Sequence, residues 1–298
     1  MYSSFFFICT TVPFNHHCLY YNHMIDLHTH SYYSDGTLSP TELVFLAESL
    51  KMKALAITDH DTTMGLNEAI SAAKNKNVNF IPGIELSVIH KPGELHILGL
   101  GLKNWEDAPI LRKINNNRKS RNKQIIEIMN LNGLGIKYTD LEKLTKGTIG
   151  RPHFAEWMLR NGYVNNMNQA FREYLSRGKS FYIPREMVSL EEATDFIHNC
   201  RGFALIAHPL NIAVNFNTLL EKIDNWLDIG IDGFEGMYSG AKKNMTKRLL
   251  DYGRTKECLI TGGSDFHGKN KPQIKPGRTK KMGIISDEFL PQELLHQI

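Results

Sequence analysis

Met24-Ile25-Asp26-Leu27-His28-Thr29-His30 is the stretch on which the reading of this chain turns. It opens as an apolar strand start and ends in two histidines one residue apart. On a strand, residues i and i+2 point to the same face, so both imidazoles can reach one metal ion. The turn-forming Ser34-Asp35-Gly36 follows at once. The reading is a metal site at the C-terminal end of a first strand.

Working outward, short apolar runs recur, and each gives way to polar residues: Ile25–His30, Ala54–His60, Asn79–Leu86, Leu95–Leu100, Phe203–His208, Gly233–Tyr238 and Leu259–Asp265. Such runs suit strands buried on both sides. Helical patterns separate most of them. Ser39-Pro40-Thr41-Glu42 reads as an N-cap with proline at the first helical position, opening a helix through Lys51. Thr62 to Lys76 predicts a second helix. Ser189-Leu190-Glu191-Glu192 is a capping box opening a third, and Phe216–Ile229 and Ala241–Lys256 predict two more. Repeated strand–helix–strand units predict a parallel α/β architecture, and chemistry at the strand ends favours a seven-stranded barrel over an open sheet.

Residues 103–187 break the rhythm. Asp107–Leu131 predicts one long helix, followed by Gly133 and Gly135, and Tyr138–Leu144, Pro152–Asn161 and Met167–Leu175 predict short ones. This is read as a helical insert (103–187) between two stretches of barrel (24–102 and 188–298). From Lys103 to Arg185 there are 16 Lys and Arg against 7 Asp and Glu, a net of +9. The whole chain has 35 against 31, so the remainder has 19 against 24, a net of −5. A basic insert beside an acidic barrel suits a polyanionic substrate.

Residues 1–23 fit neither part. Phe5-Phe6-Phe7-Ile8 is apolar, but no Lys or Arg precedes it, which argues against a secretory signal. The expectation is an upstream extension from a misplaced start, or a disordered arm, with a membrane anchor as the sharper alternative. Elsewhere no run is long enough to span a bilayer. Cys9, Cys18, Cys200 and Cys258 show no paired spacing, which suits a reducing, cytoplasmic setting. Nothing in the chain calls for an obligate protein partner.

Further residues with metal-binding chemistry stand at or near the ends of the runs. They are Asp35; His60 in Thr58-Asp59-His60-Asp61; Glu85; His96; His208 in Ala207-His208-Pro209; and Asp265 and His267 in Ser264-Asp265-Phe266-His267. With His28 and His30 they make six imidazoles and three carboxylates, too many for one tetrahedral ion. About three divalent ions sharing a carboxylate would use them, and three such ions leave a net charge of roughly +3, suited to phosphate. Nitrogen and oxygen donors without thiolate fit zinc, manganese or iron.

These motifs together resemble the PHP family, named for polymerase and histidinol phosphatase domains. The resemblance runs from Asp26 to His267 and includes Gly150-Arg151-Pro152-His153-Phe154-Ala155 in the insert. It is greatest to the stand-alone bacterial members with a helical insert, among them nucleoside 3′,5′-bisphosphate phosphatases and 5′-to-3′ exoribonucleases acting on short RNA. It implies a distorted (β/α)7 PHP-type barrel and two to three divalent ions (Mn, Zn or Fe). One ion would be held by His28, His30, Glu85 and Asp265. Glu85 would bridge to a second with His96 and His208, and Asp35, His60 and His267 would hold the third. Every ligand position of the family is filled.

The expected reaction is hydrolysis of a nucleotide or short single-stranded RNA phosphoester, with a metal-activated hydroxide attacking phosphorus in line. Asp26, Asp59 and Asp61 are expected behind the ligands, orienting imidazoles. Arg151, Lys179 and Arg185 are candidate phosphate binders, with His153 beside them. Lys179 follows a glycine, a pattern equally at home in a solvated turn. Glu235 ends a strand and is expected to face the substrate. Three alternatives remain: a phosphatase of histidinol phosphate or another small molecule, a metal-dependent amidohydrolase, and a non-catalytic nucleic-acid-binding module. The amidohydrolase often has a bridging lysine, and no lysine sits at a suitable strand end here.

Overall fold

The computed structural model describes residues 23–90, 94–212 and 214–296. The expectation for residues 1–23 therefore lies outside the described residues, His23 excepted. Seven strands form one sheet: β1 (Ile25–Asp26), β2 (Ala54–Ile57), β3 (Asn79–Ile89), β4 (Glu94–Leu100), β5 (Phe203–Ile206), β6 (Gly233–Tyr238) and β7 (Leu259–Gly263). They lie side by side in chain order. Beyond the short β1 the chain keeps pairing with the continuation of β7, where the N–H of Asp265 donates to the carbonyl of His28 and the N–H of His30 to that of Phe266, both at 2.9 Å. These bonds bring the sheet round into a nearly closed barrel.

The all-parallel expectation fails at one strand. β4 runs antiparallel to both β3 and β5. Only residues 90–93 separate β3 from β4, far too few for the crossover helix that a parallel pair needs. Alternate residues sort into two apolar layers, as a period of two requires. Leu55, Ile57, Ile97 and Ile206 pack outward with the helices, while Ala54, Ala56, Leu98 and Leu205 form an inner layer closed off by Phe289, Leu290 and Leu294.

The helices are α1 (Pro40–Ser49), α2 (Leu66–Ala73), α3 (Pro109–Leu131), α4 (Tyr138–Glu142), α5 (Arg151–Arg160), α6 (Met167–Ala170), α7 (Leu190–Asn199), α8 (Phe216–Asp228), α9 (Lys243–Lys256) and the short α10 (Gln292–Leu295). A capping box opens α7 at Ser189, as read from the sequence, and the predicted N-cap Ser39 of α1 also proves to be a capping box with Glu42. α2 begins later than its pattern suggests, because the Thr62 hydroxyl accepts the N–H of Met64 and turns the chain first. α6 continues as one π-helical turn, Phe171–Leu175. α3 leaves the barrel layer at Ile114 and ends in a separate apolar cluster with Ile125, Met129, Phe154, Trp157 and Phe181. Among the described residues no helix is long and apolar enough to cross a membrane.

Candidate metal centre

All nine metal-binding candidates meet at one end of the barrel. The side chains of His28 and His30 do share a face, with their Nε2 atoms 3.1 Å apart. Glu85, fully buried on β3, sits at the middle. Its Oε2 lies 3.3 Å from the Nε2 of His28 and of His30 and 3.0 Å from His60 Nδ1. Its Oε1 lies 2.8 Å from His96 Nδ1 and 3.0 Å from His208 Nε2. Asp265 Oδ1 faces the Nε2 atoms of His28 and His30 at 3.7 and 3.4 Å. Asp35 Oδ1 is 3.2 Å from His267 Nε2, and its Oδ2 is 4.0 Å from His60 Nε2. Donor atoms sharing an ion at 2.0–2.2 Å stand roughly 3.3–3.6 Å apart in tetrahedral geometry.

Two left-handed residues at strand ends aim part of this set: His208 (φ 33°) and Asp265 (φ 61°). Such conformations in residues other than glycine carry strain that surrounding structure must hold.

The donor set fits divalent ions on two further grounds. His60 Nδ1, Glu85 Oε2 and His267 Nε2 are buried without a hydrogen-bond partner, a costly condition that a cation would relieve. Electrostatics agree. Burial alone would raise the Glu85 carboxyl, but His60, His28 and His96 hold it well below the usual carboxylate range. Asp35 and Asp265 are held down the same way, Asp35 by His267 and His60 and Asp265 by His30, His267 and His28. Three groupings are close enough to hold an ion: His28, His30 and Glu85; His60, Glu85 and His96; and His30, Asp35, His60 and His267. His60 thus faces both Glu85 and Asp35 through its two ring nitrogens.

Behind the cluster stand the carboxylates Glu235, Asp26, Asp59 and Asp61. Glu235, expected to face the substrate, lies against His28 and His208 instead. It is fully buried, with Oε1 3.2 Å from His28 Nδ1 and Oε2 accepting the N–H of His208 at 2.9 Å. A register shift in β6 between Glu235 and Met237 accompanies this placement. A Cβ at Gly263 would stand 2.3 Å from that of His28, so only glycine fits beneath this pair. Asp26 orients no imidazole. It accepts the Ser264 N–H and hydroxyl at 2.8 and 2.6 Å and the Gly277 N–H at 2.7 Å, and burial pushes it up to about 6. Asp59 accepts both the Ser31 and Ser34 hydroxyls at 2.6 Å, and Ser34 Oγ is 3.5 Å from His30 Nδ1. Asp59 therefore reaches an imidazole only through a serine. Asp61 accepts from Arg118, from Arg185 at 2.5 Å and from the Ser87 N–H at 3.0 Å. Lys271, absent from the sequence reading, donates to Asp265 Oδ2 at 2.7 Å.

A cavity of about 200 Å³ opens beside the cluster. Asp35, His60 and His96 line one side, and Arg118, Arg121, Arg151, Arg185 and His153 the other. Arg118 Nε and Arg121 Nη2 are buried without partners. Burial, together with the neighbouring Arg118, Arg185 and Arg151, pushes Arg121 down to about 9, so it stays protonated at neutral pH. Arg151 lies over the Tyr182 ring at 5.3 Å. His153 Nδ1 accepts the Gly150 N–H at 2.9 Å, and burial lowers the pKa of its ring. Lys179 is not part of this wall. It sits on an exposed turn, its N–H bonded to Ser176. Arg118 and Arg121 went unseen in the sequence, although a signal exists. They occupy the buried stripe of α3 together with Ile114, Ile125 and Met129, where charged residues need a reason.

The sequence profile of the PHP domain matches residues 26–234. A 5′-3′ exoribonuclease from Haemophilus influenzae is 34% identical over 246 residues, 81% of this chain and 89% of its own length. A 3′,5′-nucleoside bisphosphate phosphatase from Chromobacterium violaceum is 34% identical over 273 residues, 88% of this chain and 93% of its own. Among solved structures, a chain from Bifidobacterium adolescentis assigned as a metal-dependent phosphoesterase superposes with a TM-score of 0.80 at 28% identity, covering 92% of this chain and 96% of that one. One from Chromobacterium violaceum, solved as an amidohydrolase with bound sulfate and no metal, gives 0.80 at 30% identity over the same shares. With its barrel, its histidine–carboxylate cluster and these likenesses together, the chain belongs to the PHP domain family and is a metal-dependent phosphoesterase.

Proposed function

We propose that the protein hydrolyses phosphoesters of nucleotides that carry two phosphates: nucleoside 3′,5′-bisphosphates and the 5′-phosphorylated end of short RNA. The observation that carries this reading is the cavity itself, lined by Asp35, His60 and His96 of the metal-binding cluster and by four arginines, Arg118, Arg121, Arg151 and Arg185. Buried guanidinium N–H groups without partners are suited to a phosphate, which accepts charge-assisted and often bidentate hydrogen bonds. The names of the two curated relatives fit such substrates. Sulfate in the solved Chromobacterium chain is a tetrahedral anion of the same kind. This substrate class suits a cytoplasmic enzyme.

In this reading His28, His30, Glu85 and Asp265 hold one divalent ion, Glu85 with His96 and His208 a second, and Asp35, His60 and His267 a third. Zinc, manganese or iron suits these donors. Bound there, the ions supply an activated water and neutralise charge on the phosphate. The protein's own groups do the rest. Glu235 fixes the ring of His28 and the backbone of His208. Lys271 holds one oxygen of Asp265. Asp61 keeps Arg118 and Arg185 side by side, where two cations would otherwise repel. Arg118 and Arg121 take the phosphate remote from the reaction, and Arg151 and His153 close the wall. A single-phosphate substrate with a cationic amine, such as histidinol phosphate, meets four arginines with nothing to offer them.

Phosphate release with added manganese tests the reading. Nucleoside 3′,5′-bisphosphates and short 5′-phosphorylated RNA should be cleaved, and histidinol phosphate should be at least about tenfold slower, the value of one charged hydrogen bond. Equal or faster release from histidinol phosphate would overturn it.

A further inference from the structure

A second recess, of about 330 Å³, adjoins the arginine-lined cavity, and Arg118 and Thr148 line both. Its walls come from one face of α3, where Asn115, Arg118, Lys119 and Asn122 recur at helical spacing, and from Tyr138 on α4. The strap 145–149 and Met64, in the loop before α2, complete it. The strap is set before any ligand arrives. The Thr145 hydroxyl donates to the carbonyl of Tyr32 at 3.1 Å, and the Thr148 N–H to that of Tyr33 at 2.8 Å. A Cβ at Gly147 would fall 1.8 Å from the Tyr33 oxygen, so the strap lies against the barrel as closely as backbone allows. Lys146 is held with its ammonium 5.3 Å from the centre of the Tyr32 ring.

The chemistry of the lining is mixed in a particular way. Arg118, Lys119 and Lys146 face a single acid, Glu142. Beside them stand an aromatic ring, Tyr138, and a thioether, Met64, that is 60% exposed. Cations next to soft apolar platforms suit a phosphate and a base together.

Resting on the nucleotide reading above, we infer that this recess is a second nucleotide subsite, which binds the nucleotide beyond the scissile phosphate of a single-stranded oligonucleotide, reached past Thr148, whose N–H bonds to Tyr33 two residues before Asp35: Lys119 and Lys146 take its 3′-phosphate, and Met64 and Tyr138 take its base. A mononucleotide bisphosphate leaves it empty. The subsite therefore adds selectivity for chains over single nucleotides without touching the reaction.

The test compares a nucleoside 3′,5′-bisphosphate with a 5′-phosphorylated RNA trinucleotide on the metal-loaded full chain, before and after Lys119→Ala with Lys146→Ala, and separately after Met64→Ala. All three side chains are exposed, so the fold should stand. The double variant should lose about tenfold in kcat/KM on the trinucleotide and stay within about twofold on the bisphosphate, and Met64→Ala should lose a smaller factor on the trinucleotide alone. Equal losses on both substrates, or none on either, would overturn the subsite. Binding to the chelated protein, read by fluorescence anisotropy at two salt concentrations, separates this from failure of the nucleotide reading itself. Wild type should hold the trinucleotide more tightly than the bisphosphate, with a steeper salt dependence, and the double variant should lose that advantage. If wild type cleaves neither substrate, the nucleotide reading falls, and the absence of any binding advantage would take the subsite with it.

Discussion

The barrel mouth and the helical insert supply opposite ends of one cavity, and they are built differently. At the mouth, carboxylates and imidazoles crowd together with buried donors lacking partners, a charge balance that a cation completes. In the insert, guanidinium groups crowd together around a single carboxylate, Asp61, a balance that an anion completes. The first set is anchored on strand ends joined by the barrel's own hydrogen bonds. The second is carried by α3 and by the chain returning to the barrel at Arg185. The difference implies that chemistry and substrate choice are separable, the first lost at the mouth and the second in the insert.

Variants can break that separation. The largest effect is expected from Glu85→Gln, because one carboxylate faces His28, His30, His60, His96 and His208. Hydrolysis should fall to background on every substrate and metal content should drop by elemental analysis, with circular dichroism unchanged. Activity retained in this variant would contradict the shared carboxylate. Glu235→Gln should lower metal affinity about 10–100-fold, as loss of a partner behind a ligand does, and excess metal should restore turnover. A defect that persists at saturating metal would place Glu235 elsewhere in the reaction. Asp61→Asn should raise KM for a bisphosphate by about tenfold, the value of a charged hydrogen bond, while bound metal stays constant. Loss of metal instead would tie Asp61 to the mouth. The smallest effect is expected from Lys179→Ala, a change within about twofold, as for any exposed charge. A large rise in KM would bring its turn into the cavity.

The mouth was legible in the sequence because each group sits in a short local pattern: His-x-His after β1, Asp59-His60-Asp61 after β2, Asp265-Phe266-His267 after β7. Strand periodicity converts such spacing directly into direction. The insert was not, because its arginines are gathered by packing. Arg118 and Arg121 belong to a stretch, Asn115-Asn116-Asn117-Arg118-Lys119-Ser120-Arg121, that looks polar on every side. Only the position of Ile114, Ile125 and Met129 against other helices marks their face as buried. Arg151 was found through the run Gly150-Arg151-Pro152-His153-Phe154-Ala155 that resembles the family, whereas Lys179 lies on an exposed turn outside the cavity lining. Glu235 was misread because strand periodicity alone gave no sign of the irregular register at Glu235/Met237, which accompanies its place under His28. The antiparallel β4 follows from the length of one connection, a point the apolar runs alone did not weigh.

The central claim, that one end of the cavity cleaves and the other selects, is tested most directly by Arg121→Ala. The measurement is kcat/KM on a nucleoside 3′,5′-bisphosphate and on the 3′-monophosphate of the same nucleoside, with manganese saturating. Wild type should prefer the bisphosphate by about 10–100-fold, and the variant should lose most of that preference while its rate on the monophosphate holds. An undiminished preference, or an equal loss on both substrates, would contradict the account.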